Sequence, residues 1–279
     1  MKNFGHQKPV STKPITAGWQ WKPFIVCQLL AVLVLCSWLW SPTRTLWDLA
    51  DDQLFLLLNQ PLANHGWWAW IWAIGSLRPM DILVGVVMLA FLMRGNFIFP
   101  TRQVQRALFM FISVLFLLLI MRTLFSEILK LLDWQRASPS LIFEDAVRLS
   151  ELFPDWQYWQ PKDSSSTSFP GDHASVMLLW ALFLSFFARG WPLVMIWLFA
   201  TVGMLPRLVA GAHWGSDDFV GGLFLVLIAI AWGCYTPYAH RCSEVMMRIM
   251  APLFRFAARI PPLHRLSLLK KPSAELPTR

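Results

Sequence analysis

Long runs of apolar residues, separated by polar connections, dominate the pattern along this chain. Several runs approach the roughly 20 apolar residues that a helix needs to cross the hydrocarbon core of a bilayer. The runs that predict spans cover residues 24–40, 82–93, 104–121, 173–188, 191–205 and 219–235. A bend near Pro79 extends the second run backwards through residues 71–77. The pattern predicts an all-α integral membrane protein, a bundle of six transmembrane helices.

Two other stretches show helical spacing of apolar residues but carry too much charge to cross a membrane. In residues 44–60 the leucines lie near helical spacing, and in residues 142–153 an apolar stripe alternates with acidic and basic side chains. Such amphipathic helices lie in the plane of the membrane surface. The sequence therefore predicts interfacial helices on the periplasmic side of the bundle.

Composition agrees with a membrane domain. The chain is 56% hydrophobic and 14% charged, with a mean hydropathy of +0.49. In soluble domains about a quarter of all residues are charged. The predicted organisation is an N-terminal arm (1–22), one six-helix catalytic domain (23–238) and a basic C-terminal tail (239–279). Prolines interrupt that tail, which predicts at most short amphipathic helices, for instance around residues 242–250.

The charge distribution predicts the orientation in the membrane. Four lysines and no acid precede Pro23, and eight basic residues against two acids follow Tyr238. Basic flanks mark the cytoplasmic side, and six spans return both termini to it. The long polar segment 130–172 then faces the periplasm. The basic residues are scattered rather than clustered, so they favour anionic membrane lipids over nucleic acid.

A first chemical motif, Pro170-Gly171-Asp172-His173, lies where a polar loop enters an apolar helix. Gly171 lets the backbone approach a ligand closely, and the following amides form an anion site with the helix dipole. His173 on the first turn could protonate a leaving oxygen. The alternative is that Asp172 caps the helix and His173 is an exposed polar residue at the membrane boundary.

A second motif has the spacing Arg207-x5-His213-x3-Asp217. Residues four apart share one face of a helix, and a carboxylate on one ring nitrogen leaves the other nitrogen free to attack. The planar fork of Arg207 suits phosphoryl oxygens. Each motif alone is weak, but both fall at the same end of the predicted bundle. Together they predict phosphoryl transfer through a histidine at a membrane surface.

Arg136, in the polar segment, is a candidate for a second phosphate clamp. It stands in the sequence Arg136-Ala137-Ser138-Pro139. The alternative is an arginine at the rim of the site that forms a surface ion pair, which is a common arrangement.

These elements resemble the signature of the type-2 phosphatidic acid phosphatase (PAP2) superfamily. That signature is Lys-x6-Arg-Pro, then Pro-Ser-Gly-His, then Ser-Arg-x5-His-x3-Asp. The third motif matches with Pro206 in place of the serine, and the second is Pro170-Gly171-Asp172-His173. The first matches least well, because Lys130 is one residue closer to Arg136 than the pattern asks. Arg122 or Lys162 could take the place of Lys130.

Within that superfamily, motifs such as Ser168-Phe-Pro-Gly-Asp-His173 and Gly211-Ala-His213-Trp214 are more similar to the lipid A phosphotransferases of Gram-negative inner membranes. This resemblance covers roughly residues 45–240 and is most specific in residues 136–217. The resemblance implies a site that faces the periplasm and uses neither metal nor cofactor. It implies His213 as the nucleophile that forms a phosphohistidine, Asp217 as its orienting partner and His173 as the proton donor. The phosphate-binding residues implied are Arg136, Arg207, Gly171, Asp172 and Lys130.

The same resemblance implies the substrates. The distal phosphate of undecaprenyl pyrophosphate would pass to the 1-phosphate of lipid A. Hydrolysis of undecaprenyl pyrophosphate, with water as the acceptor, would use the same residues and stays open. A non-catalytic lipid-binding protein that keeps the fold is the alternative from another class, and it differs in not needing His213.

Overall fold

The computed structural model describes residues 17–261 and 266–270, and this part of the chain is helical, with one isolated bridge between Gly95 and Phe99. The α-helices are α1 (Trp21–Leu39), α2 (Ser41–Asn59), α3 (Trp67–Gly75), α4 (Arg78–Met93), α5 (Val104–Leu131), α6 (Pro139–Ile142), α7 (Leu149–Leu152), α8 (Asp172–Ser185), α9 (Trp191–Val209), α10 (Leu223–Cys234) and α11 (Tyr238–Ala257). Short 3-10 turns connect several of them, and a π-helical turn, Asp217–Gly222, precedes α10.

Four helical stretches in the described residues are long and apolar enough to cross a membrane. They are Trp21–Leu39, Thr101–Leu131, Trp191–Val209 and Asp217–Cys234. The pair α3 and α4, bent by 70°, passes the same test as one broken span, and α8 is a shorter apolar helix. The bend near Pro79 is confirmed, because Pro79 occupies the first turn of α4, where a proline needs no amide partner. The chain is therefore an all-helical membrane protein.

The first helix shows how the outer surface meets lipid. Although α1 is rich in leucine and valine, its buried residues are only Ala31 and Trp38. Leu29, Val32 and Leu33 are each more than half exposed. A helix that is apolar on all sides yet exposed on most of them belongs in hydrocarbon rather than in water. On its inner face, α1 packs against α10.

Helix α8 occupies the centre of the bundle and so fixes the position of its own first turn. Trp180, Phe183 and Leu184 are fully buried, and the indole Nε1 of Trp180 donates to the carbonyl of Met88 at 3.2 Å. The helix packs against α9, α10 and α5. Since interiors are packed as closely as organic crystals, the N-terminus of α8 cannot shift without disturbing three neighbours.

The segment predicted as one amphipathic helix over residues 142–153 has a different structure. Two single-turn helices, α6 and α7, are separated by an extended stretch that pairs with Asn59 of α2. The side chain of Asn59 accepts from the amide of Val147 at 2.8 Å and donates to its carbonyl at 3.0 Å. These two bonds satisfy the backbone without a helix, so the prediction of a continuous helix was wrong. The helix predicted over residues 44–60 is confirmed as α2.

The C-terminal tail also differs from its prediction. Instead of short pieces, α11 runs unbroken for 20 residues with Pro252 inside it. It packs along α5: the Phe254 ring stacks on Phe109 at 6.0 Å, and the Tyr238 hydroxyl donates to the carbonyl of Ser113 at 3.3 Å. Burial of an apolar face against α5 offsets the helix bond that the proline removes. Residues 1–16, 262–265 and 271–279, which belong to the predicted N-terminal arm and C-terminal tail, lie outside the described residues.

Candidate active site

The backbone after α9 explains the spacing between Arg207 and His213. The carbonyl of Arg207 accepts from the amide of Ala212 at 2.9 Å and from that of His213 at 3.3 Å. This tight reversal requires a left-handed residue, which Gly211 supplies with φ of +76°. The chain therefore folds back over the end of α9 and places His213 beside it.

The spacing between His213 and Asp217 works through a turn and not through a helix face. Oδ2 of Asp217 accepts from the amide of Trp214 at 2.8 Å, and the amide of Asp217 donates to the carbonyl of Trp214 at 3.1 Å. The carboxylate thus closes the turn that precedes the π-helical segment. As predicted, the side chains of His213 and Asp217 lie next to each other, 3.6 Å apart. A turn brings them together, however, and not the helix that was predicted.

The imidazole of His213 is almost fully buried and contacts a polar group on each nitrogen. Nδ1 lies 2.9 Å from the carbonyl oxygen of Ser168 and 3.6 Å from Oδ2 of Asp217. Nε2 lies 3.3 Å from Oδ1 of Asp172. The carbonyl of Ser168 is an acceptor only, so it fixes a proton on Nδ1. Nε2 is then the nitrogen available for attack.

Behind His213 lies a network of buried charges that we call the inner cluster: His213, Asp217, Arg136, Asp51 and Ser216. Arg136 donates to Asp217 Oδ1 from Nη2 at 2.9 Å and to Asp51 Oδ2 at 3.0 Å, and it also donates to the Ser216 hydroxyl. Asp51 accepts from the amide of Ser216 at 2.7 Å. Asp217 and Asp51 are 0% and 2% exposed, so the guanidinium compensates two carboxylates removed from water.

The loop that enters α8 approaches the inner cluster closely. The amide of Gly171 donates to the carbonyl of Asp217 at 3.0 Å. A Cβ at position 171 would clash with Oδ1 of Asp218 and lie 3.1 Å from the carbonyl oxygen of Asp217, so this close approach favours glycine. Oδ1 of Asp218 is itself buried without a hydrogen-bond partner. Gly171 therefore serves the packing of this loop against the turn that carries Asp217.

Next to the first turn of α8 lies a second group, which we call the outer cluster: Arg207, Asp81 and His173. Nη2 of Arg207 donates to both carboxylate oxygens of Asp81 at 2.7 Å, and Nη1 donates to the carbonyl of Ser76 at 3.0 Å. Nε2 of His173 lies 3.0 Å from the carbonyl of Gly203, and Nδ1 lies 3.8 Å from Asp81.

A polar cleft of about 260 Å³ opens beside both clusters. Its lining is rich in basic side chains, with two carboxylates among them: Arg78, Arg122, Lys162, Arg207, His173, Asp81 and Asp172. Asp172 connects the cleft to the inner cluster, since its Oδ1 contacts Nε2 of His213 and its Oδ2 lies 3.5 Å from Arg122. Four cationic side chains around one cleft favour a ligand with more than one negative charge.

An apolar cavity of about 420 Å³ adjoins this cleft. Asp81, His173 and Arg207 line both, while the remaining wall consists of apolar side chains from α3, α4 and α9. The 70° bend between α3 and α4 leaves room for the cavity. A ligand that fills both spaces has an anionic head and a hydrocarbon tail.

Electrostatics hold His213 in its charged form in the absence of a ligand. Burial alone would lower the pKa of its imidazole, but the hydrogen bonds of Asp172 and Asp217, with the charge of Asp218, raise that pKa to about 10. Burial raises the pKa of the Asp51 carboxyl, against the lowering effect of Arg136 and Ser216. The imidazole of His213 is therefore protonated on both nitrogens at neutral pH, and it must lose the proton on Nε2 before that nitrogen can attack.

Comparison with known proteins agrees with this geometry. A family model described as the PAP2 superfamily matches residues 110–241, the segment that contains both histidines, Arg136, Arg207 and Asp217. Over this segment the chain resembles the PAP2 superfamily, and it is an enzyme of the phosphatase or phosphotransferase class. A similar protein is the lipid A 1-diphosphate synthase of Escherichia coli strain K12, 28% identical over 222 residues, or 78% of this chain and 89% of that protein. No solved structure matches significantly.

Most of the residues predicted from the PAP2 motifs come together around the cleft. His173, Asp172 and Arg207 line it, and His213, Asp217, Arg136 and Gly171 lie directly behind it. Lys130 does not take part: it lies near the end of α5, exposed and paired with Glu127 at 2.6 Å. Arg122 and Lys162, the two alternatives to Lys130, both line the cleft.

Sequence reasoning about the PAP2 site missed Asp51, Asp81, Asp218 and the carbonyl of Ser168. Asp51 and Asp81 come from α2 and α4, far along the chain from the arginines that they bind. One signal was available for Asp81, because an acid at the start of an apolar helix is an ionisable residue near a membrane boundary. Among the described residues, no group of three or more His, Cys, Asp or Glu side chains could hold a metal ion.

Proposed function

We propose that this protein transfers the distal phosphate of undecaprenyl pyrophosphate to the 1-phosphate of lipid A through a phosphohistidine on His213. The products are lipid A 1-diphosphate and undecaprenyl phosphate. The observation that carries the proposal is the contact between Nε2 of His213 and Asp172. Asp172 lines the cleft, and four cationic side chains line the same cleft. The likeness to a lipid A 1-diphosphate synthase supports the choice of acceptor.

The two adjoining spaces support a polyprenyl pyrophosphate as the donor. The pyrophosphate would lie in the basic cleft, and the first isoprene units would enter the apolar cavity between the bent pair and α9. Phosphoryl transfer depends on positioning and on stabilising charge over the phosphoryl oxygens. Arg207, Arg122, Arg78 and Lys162 would supply that charge without a metal ion.

Each histidine has a separate role in the proposed reaction. Nε2 of His213 attacks the distal phosphorus, and Nδ1 keeps its proton on the carbonyl of Ser168. His173, which lines the cleft, gives a proton to the departing undecaprenyl phosphate. Asp217 and Arg136 hold the turn that carries His213, and neither lines the cleft in which the pyrophosphate would lie.

The proposed location is the Gram-negative inner membrane, with the site facing the periplasm and both termini in the cytoplasm. Counting the bent pair α3–α4 as one span and adding α8 to the four long stretches would give six spans. An even number of spans would place both ends of the chain on the same side of the membrane. This agrees with the basic residues near both ends, which mark the cytoplasmic side. Lipid A and undecaprenyl pyrophosphate would then reach the cleft laterally from the outer leaflet.

The test follows the distal phosphate of labelled undecaprenyl pyrophosphate with purified protein, with and without lipid A. We expect the label on lipid A, and its loss in His213→Ala. His240→Ala is the matched control, since His240 pairs with Glu244 on α11 outside the site. Release of label only as free phosphate, unaffected by lipid A, would instead identify a polyprenyl pyrophosphatase. Phosphate transfer or release that survives His213→Ala would refute the nucleophile.

A further inference from the structure

Asp172 differs from the other residues of the site because it lies between the cleft and the inner cluster. Its carboxylate lines the cleft and is about half exposed, while its Oδ1 lies 3.3 Å from the nitrogen of His213 that must attack. The PAP2 signature has a glycine here, in Pro-Ser-Gly-His. A carboxylate in a phosphate site repels the substrate, so it needs a reason to be present.

The start of α8 accounts for only part of that position. Asp172 is the first residue of α8, whose N-cap is Gly171, and its Oδ1 accepts from the amide of His173 at 2.7 Å at the positive end of the helix. A serine or asparagine would do the same without adding charge to the cleft. The contact with Nε2 of His213 is therefore not explained by this hydrogen bond.

The resting protonation state creates a chemical problem that Asp172 can solve. Nδ1 of His213 keeps its proton on a backbone carbonyl, so the proton that must leave is the one on Nε2. Asp217 faces Nδ1, and Asp172 is the carboxylate at Nε2. Around them, Asp218 adds negative charge near the imidazole, Arg136 pairs with Asp217, and Arg122 faces the second oxygen of Asp172.

We propose that Asp172 is a catalytic residue that takes the Nε2 proton of His213 before phosphoryl transfer and returns it afterwards. The role rests on the proposed function, because it assumes attack by His213 on a phosphorus. It assigns to this chain a third group that handles protons, besides the two histidines.

The steps balance in atoms and charge. The Nε2–H bond breaks and its proton binds Oδ1 of Asp172, which leaves a neutral imidazole beside a neutral carboxyl group. The Nε2 lone pair then bonds to the distal phosphorus, and the bond from phosphorus to the bridging oxygen breaks with its electron pair on the leaving phosphate. An oxygen of the acceptor attacks the phosphorus, the N–P electron pair returns to Nε2, and Nε2 recovers the proton from Asp172.

The test measures phosphohistidine formation by rapid quench with labelled undecaprenyl pyrophosphate in Asp172→Asn, which keeps the size of the side chain and an oxygen that can accept from the amide of His173. We expect the rate of formation to fall by about 10²- to 10⁴-fold, the usual contribution of a proton-transfer group, with KM changed by less than about threefold. Because the variant loses the Nε2 proton to solvent, its rate should rise with pH more steeply than that of the parent protein.

A role as a simple counter-ion predicts the opposite outcome. Without the carboxylate, the pKa of His213 falls toward its ordinary value, so more of the imidazole is neutral at pH 7. Asp172→Asn would then form phosphohistidine as fast as the parent protein or faster, and that result would overturn the proposal.

Two further measurements separate the possible failures. Asp172→Gly, the residue of the superfamily signature, should regain phosphohistidine formation as formate or acetate is added. A slow variant that neither carboxylate rescues would mean a structural role and also overturn the proposal. If the unaltered protein forms no phosphohistidine at all, the proposed function itself fails, independently of Asp172.

Discussion

The inner and outer clusters use the same residue types, arginine, aspartate and histidine, in two different ways. In the inner cluster, Arg136 is shared between two carboxylates that have almost no contact with solvent. In the outer cluster, Arg207 binds one carboxylate, Asp81, that lines two cavities and is about one-third exposed. One arrangement is closed and the other faces the space that a ligand would enter.

This difference separates positioning from binding. Breaking a buried ion pair leaves a charge without a partner and costs roughly 3–5 kcal/mol, so the inner cluster keeps a fixed geometry for His213. Arg207 is itself buried, but its partner Asp81 is about one-third exposed and lines the cleft, so this pair exchanges partners at lower cost than a pair with a fully buried carboxylate. An incoming phosphate can therefore displace Asp81 from Arg207 but cannot displace Asp217 from Arg136.

The largest effect expected comes from the two histidines, one in each cluster. His213→Gln should lower phosphate transfer more than about 10⁴-fold, since it removes the proposed nucleophile. His173→Gln should lower it about 10²- to 10⁴-fold, because an undecaprenyl phosphate can leave slowly without a proton. Quenched-flow trapping decides between the roles: only His173→Gln should still accumulate labelled phosphohistidine. Accumulation of labelled phosphohistidine in His213→Gln would mean that His213 is not the nucleophile.

The next effect distinguishes the two carboxylates around Arg136. Asp217→Asn and Asp51→Asn each weaken a buried pair, and we expect each to lower the free energy of unfolding by about 3 kcal/mol or more. Only Asp217 also touches His213, so only Asp217→Asn should lower kcat by about 10²-fold or more at a temperature where both variants are folded. Thermal unfolding in detergent and steady-state kinetics measure the two effects. Equal losses of kcat would mean that the inner cluster acts as one unit.

The sequence predicted which residues form the candidate site better than it predicted which of them pair with one another. The two histidines, Arg207 and Asp217 follow from short-range motifs whose spacing the backbone turns explain. Asp51 and Asp81 were not predictable, because no local pattern connects them to arginines 85 and 126 residues away. Which acid meets which arginine depends on how α2 and α4 pack, and packing of apolar helices leaves little trace in the pattern of polar residues.

The fold shows the same division. Apolar runs located the helices, and Pro79 located the bend between α3 and α4. The turns between Pro139 and Trp159 were not predictable, since the side chain of Asn59 replaces backbone partners there. The length of α11 was also missed, because its stability depends on the face of α5 that it covers.

A pH titration of stability tests the closed character of the inner cluster. The pKa of His213 is raised from an ordinary value near 6.5 to about 10, so its contribution to stability is fully present below about pH 6.5. That contribution is lost as the pH rises toward 10, because the unfolded imidazole is neutral there while the folded one must also lose its proton. Denaturant unfolding in detergent between pH 6 and 10 should show the decline. The decline should be smaller in His213→Gln and unchanged in His240→Gln.

The smallest effect expected concerns the exchange of partners in the outer cluster. Asp81→Asn removes the carboxylate that competes with phosphate for Arg207, so KM for undecaprenyl pyrophosphate should fall about threefold, with kcat reduced less than tenfold. Glu151→Gln, which breaks the exposed pair between Arg148 and Glu151, is the matched control and should change neither constant. A rise in KM would mean that Asp81 holds Arg207 in the geometry that phosphate needs. The outer cluster would then be preorganised as the inner one is, and the distinction between binding and positioning would rest on exposure alone.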